Sequence, residues 1–169
     1  DQLSRFNALD ADIKDAFFNA GLQCGMVHGA TQWPDHYLRL VSDDTGVLDG
    51  KQALLSRLIG RIRSIASHYG ASTVSLVMPE GALVNRDAHQ QWQRLGFTLT
   101  PEVLGATKPE EIILQASQDA GVDCLNLAIE FRAHLEQKGL YYATDTHMSP
   151  AGHDLLAETL APKLREYLP

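Results

Sequence analysis

Only two cysteines, Cys24 and Cys124, occur in the 169 residues, and they lie far apart. They fit neither a CxxC redox pair nor a zinc-ligand spacing. Each sits in an apolar stretch, which predicts buried free thiols rather than a disulfide and leaves the compartment open. No apolar run reaches the ~18 residues that a membrane-spanning helix needs, so no membrane span is expected. Basic residues are scarce, with 14 Lys and Arg against 21 Asp and Glu, a formal charge of −7. That balance argues against nucleic-acid or anionic-membrane binding, because phosphate contact needs clustered cations. Internal repeats and low-complexity stretches are absent. The chain opens on Asp1-Gln2-Leu3, with neither an initiator Met nor a signal peptide. From this we expect either a processed chain or one that begins inside a longer protein.

What is present is ordinary globular material. Hydrophobic residues make up 44% and charged residues 21% of an 18.6 kDa chain. One compact domain over residues 1–169 is the expectation at that length. Residues 8–20 carry apolar side chains at helical spacing, and Gly21 follows as a stop. Residues 22–28 read as a short strand. Residues 29–50 read as loop, broken by a second short strand at 37–41.

From residue 51 the pattern alternates. A helix is expected over 51–69, with Leu54, Leu55, Leu58, Ile62 and Ile65 as its buried stripe and Arg57, Arg61 and Arg63 on a solvated or phosphate-binding face. Strand 72–78 closes at Pro79, and helix 86–95 follows. Helix 109–120 leads into strand 122–127 and helix 129–138. A short extended piece at 140–142 precedes a final helix over 150–167. Helices alternating with strands imply crossover connections and a parallel sheet. Ligands in such sheets bind beyond the carboxyl ends of the strands.

That places attention on the segment Gly139–Glu158. Asp145 and His147 stand two apart in a non-helical stretch, and alternate residues of an extended backbone share a side. A carboxylate beside an imidazole fixes its tautomer and stabilises its protonated form, the pairing that activates a nucleophile. Ser149 sits at an N-cap position before Pro150. A solvated turn, or a metal site of Asp145, His147 and His153, are the other readings of the same spacing. His153 by itself reads as a structural hydrogen-bonder, and Trp92 as core. Trp33, His36 and Tyr37 read as a binding loop or a lid over the core. Glu80 and Asn85 fall on the ligand side of the sheet.

Residues 139–168 resemble the last block of the SGNH (GDSL-type) hydrolases: a short aromatic strand (Leu140-Tyr141-Tyr142), Asp145-Thr146-His147, a small cap residue, Pro150-Ala151-Gly152-His153 and a long helix. The strand ending in Pro79 and the Gly121–Arg132 segment resemble the family's later βα units, so the likeness spans about residues 50–169. It implies a three-layer α/β/α sandwich with a mostly parallel sheet. It also implies ester hydrolysis or acyl transfer, on O-acetyl carbohydrate in some branches. Asp145 would orient His147, which would serve as base and then acid to an acylated serine. No cofactor or metal is implied.

The D-x-H spacing is one residue shorter than the commoner family form. The Gly-Asp-Ser nucleophile and the Gly-x-Asn-Asp oxyanion signature have no counterpart in these residues. Two readings follow. In one, the chain is the C-terminal portion of a larger hydrolase, with its nucleophile strand ahead of Asp1. In the other, it is a non-catalytic relative that binds a ligand or scaffold. Both expect a further segment or chain to complete the sheet.

Overall fold

A computed structural model describes residues 1–19, 21–22, 24–42 and 45–167, with side chains at all of these except 45–47. Four short helices come first: α1 (Gln2–Ala8), α2 (Ala11–Phe18), α3 (Cys24–Gln32) and α4 (His36–Val41). The long helix α5 (Thr45–His68) leads into strand β1 (Val74–Val77). Helices α6 (Gly81–Val84), α7 (Arg86–Arg94) and α8 (Lys108–Asp119) make the crossover to strand β2 (Asp123–Asn126). Helices α9 (Ala128–Ala133) and α10 (Pro150–Leu164) follow, and a 3₁₀ turn covers Arg165–Tyr167.

The fold is α/β, with a small parallel sheet. β1 pairs with β2 in the register Val74–Asp123 to Val77–Asn126, and the Leu127 amide extends the ladder to the Val77 carbonyl at 3.3 Å. α8 lies against both strands, and α5 packs along α8.

The core lies beside the sheet rather than on it. Trp92, Phe131, Leu95, Leu127 and Leu140 are fully buried. Tyr37 stacks on Trp92 with ring centroids 5.6 Å apart, and Tyr141 meets Trp92 edge-on at 6.2 Å. Gly81 makes this junction fit. A Cβ there would press on Ala88 and Tyr141 at 3.0 Å. Truncating a buried Trp of this kind costs about 3–5 kcal/mol.

The N-terminal quarter departs from its sequence pattern. The expected helix over 8–20 is α2, which starts only at Ala11 because Leu9 and Asp10 are extended (ψ 155° and 151°) and Arg94 holds both Asp10 and Asp12; α1 precedes it without having been expected. Residue 20 lies outside the described residues. The expected strands at 22–28 and 37–41 are α3 and α4. In α3, Val27, Ala30 and Thr31 share the buried face at helical spacing, a period that the glycines at 25 and 29 obscured. Of the expected 29–50 loop, residues 43 and 44 lie outside the described residues, and α5 starts at Thr45 rather than 51. α9 ends at Ala133, short of the expected 138.

The apolar stripe of α5 is also placed differently. Leu54, Leu58, Ile62 and Ile65 are each at least half exposed, because α5 meets α8 with its opposite face. There Arg63 donates to the Ala120 carbonyl at 3.2 Å and Gln52 bonds Asp119. The cysteines are free but not buried as expected: Cys24 is exposed and Cys124 half-buried.

Candidate active site

The segment between α9 and α10 returns to the carboxyl end of β1. An antiparallel bridge joins Tyr141 to Met148, with Ser149 N donating to Leu140 O at 2.9 Å and Tyr142 N to His147 O at 3.1 Å. α10 anchors the second arm. The Ser149 hydroxyl accepts from Gly152 N at 3.2 Å as an N-cap and donates to Gly139 O, and Pro150 occupies the first turn. Gly152 is required by proximity. A Cβ there would run into the Leu140 carbonyl oxygen. The Pro-x-Gly sequence is therefore a docking device for the hairpin that carries Asp145 and His147.

Those two side chains meet. His147 Nδ1 lies 2.6 Å from Asp145 Oδ1, and the same oxygen accepts the His147 backbone amide at 3.1 Å. The pair is held by a turn closed through the Asp side chain, not by the extended backbone expected from the spacing. A carboxylate only accepts, so Nδ1 carries the proton and Nε2 is left with its lone pair. Asp145 is partly covered at 29% side-chain exposure, whereas His147 stands 69% open. A contact this exposed adds little stability; its consequence is orientation of the ring.

Thr146, between the two, lines a cleft of about 330 Å³. Trp33, His36, Tyr37, Glu80 and Phe97 form its other walls. Trp33 is 54% exposed, so the expected binding-loop placement describes its position better than a core lid. Tyr37 is buried and donates from its hydroxyl to Glu80 Oε1 at 3.0 Å. Glu80 is open to the cleft along part of its length. Protein packed around the carboxyl nonetheless raises its pKa by desolvation, and the Tyr37 bond only partly opposes this. His36 is pushed the other way, first by desolvation and then by the nearby Lys51. Tyr37 and Tyr141 are both held far above the ordinary phenol range, chiefly by burial.

The remaining sequence candidates separate. Asn85 is buried as the N-cap of α7, accepting from Ala88 N at 3.0 Å and donating to Gln137 O at 2.8 Å, so it does not face the cleft. His153 projects to solvent from α10, and its side chain makes no hydrogen bond among the described residues. The reading of it as a structural hydrogen-bonder is thereby overturned. Among the described residues no group of three His, Cys, Asp or Glu is gathered to hold a metal, so Asp145, His147 and His153 do not form the alternative metal site. The Glu80–Tyr37 pair was the feature least visible in sequence. Its one signal was the position of Glu80 just past Pro79 at the end of a strand.

The small parallel sheet and its helical crossover are compatible with an SGNH-like α/β domain. The family model for the "SGNH hydrolase-like domain, acetyltransferase AlgX" matches residues 35–169, and the chain belongs to that family. Membership brings chemistry on acyl groups as its general activity. No curated protein and no solved structure matches the chain. Among the described residues no helix is long and apolar enough to cross a membrane.

Proposed function

We propose that the chain supplies the Asp–His half of an SGNH-type acyltransferase or esterase acting on ester-linked acyl groups, O-acetyl carbohydrate among them. The observation that carries this is the 2.6 Å contact of Asp145 with an exposed His147 beside a cleft. His147 Nε2 takes the proton of a seryl hydroxyl supplied from outside residues 1–169, and the oxygen attacks the ester carbonyl carbon. The imidazolium then returns that proton to the departing alkoxide, and an acyl-serine forms. Water or an acceptor hydroxyl attacks the acyl carbon next, losing its proton to Nε2, and the serine oxygen departs and takes that proton back. Asp145 keeps the ring in one tautomer and stabilises its charged form throughout.

The same reading includes a further segment or chain that adds to the sheet. Among the described residues β1 pairs with β2 alone, and the apolar face of α5 lies open. Both features support an extension of the sheet at β1.

The test uses the intact protein. His147→Ala is expected to lower turnover of a p-nitrophenyl ester by about 10²–10⁴-fold with an unchanged melting temperature. Unchanged turnover removes the assignment. Labelling by a fluorophosphonate separates this reading from a non-catalytic binding domain, which would stay unlabelled.

A further inference from the structure

A second pocket opens between α7, the turn at 101–105 and α9, and it shares no lining residue with the cleft at Thr146. We propose that it binds a small molecule through a carboxylate or phosphate group. Its volume is about 460 Å³, within the ~300–1,000 Å³ usual for ligand sites. Leu104 and Leu135 give it an apolar floor, and Arg86, His89, Gln90 and Arg132 give it polar walls; no carboxylate lines it.

The hydrogen bonds show which atoms remain for a ligand. Arg86 Nε donates to both oxygens of Glu136, at 2.8 and 3.1 Å, and Glu136 is not a pocket residue. That anchor fixes the guanidinium plane. Both Arg86 terminal nitrogens have no partner among the described residues. Arg132 spends its terminal nitrogens on Glu110 and the Ala106 carbonyl, and its Nε is buried without a partner. Gln90, exposed on α7, adds an amide. A fork of this kind, held in advance, matches the paired oxygens of a carboxylate or phosphate.

His89 adds a requirement. Its Nδ1 lies 2.9 Å from the Ala82 carbonyl, which can only accept. The proton therefore sits on Nδ1, and Nε2 is an acceptor. The pocket thus suits an oxyanion whose carrier also bears a hydroxyl. The site is independent of the reaction proposed for Asp145 and His147.

The experiment is a titration of the protein with inorganic phosphate and, separately, acetate, at constant ionic strength against a chloride control. It is followed by melting temperature and by the nitrogen-15 signals of the Arg and His side chains. A saturable response at Arg86 and His89 is expected, and the stronger of the two anions identifies the group. Arg86→Gln is expected to weaken binding roughly tenfold or more, since it removes a charge-assisted fork. The proposal is overturned if neither anion binds saturably, if chloride acts equally, or if Arg86→Gln binds unchanged.

Discussion

The hydroxyl of Tyr141 donates to the carbonyl oxygen of Pro79 at 2.9 Å, tying the hairpin that carries Asp145 and His147 to the end of β1. Both groups are buried, so the bond has no water to replace it. It is the direct link between the strand whose continuation supplies Glu80 and the segment that supplies the dyad.

Tyr141→Phe keeps the ring packing against Trp92 and removes only the donor. The stranded Pro79 carbonyl is expected to cost about 1–3 kcal/mol in denaturant unfolding. A variant as stable as the parent would show that the carbonyl finds another partner.

Gly152→Ala tests the docking of α10. The added methyl meets backbone, which cannot swing aside as a side chain can. Destabilisation of about 1–3 kcal/mol is expected, as for other overpacked sites. Ser149→Ala removes the N-cap from the same turn and is expected to cost about 1 kcal/mol. Melting curves of both variants check this, and equal, negligible effects would refute the anchoring.

Asp145→Asn preserves size but weakens the hold on the imidazolium. In the intact protein kcat for ester turnover is expected to fall by about 10²–10⁴-fold while KM changes little. A selective rise in KM would place Asp145 in substrate binding instead.

Glu80→Gln addresses the cleft. The folded-state pKa of Glu80 lies above its ordinary value, so its contribution to stability is full at acid pH and is lost as pH rises through the raised value. Glutamine never ionises and can still accept from Tyr37. The variant is therefore expected to melt higher than the parent near neutrality, with the gap closing as pH falls below the usual carboxylate range. A gap independent of pH would contradict the desolvation.

Much of the C-terminal two-thirds was legible because its signals are local. Gly121 ends α8, Pro109 begins it, and the apolar residues of β1 and β2 fall between such marks. The block from Leu140 to His153 was legible for the same reason: a cap, a helix-starting proline and a glycine all act within one turn. Of the N-terminal helices only α2 was legible; α1, α3 and α4 were not. Gly25, Gly29 and Pro34 weaken every local preference there, and helicity is decided by the packing of Val27, Ala30 and Tyr37 on Trp92 and Phe97, far along the chain.

Sequence by itself determined the class of fold and the pairing of Asp145 with His147, since two residues joined by a short turn cannot lie far apart. Tertiary structure alone decided what stands around them. Trp33, Tyr37 and Glu80 reach the cleft beside Thr146 from separate elements, and the face of α5 that looked like core is open. Periodicity reveals that a helix has an apolar side, but only its neighbours in space determine whether that side is covered.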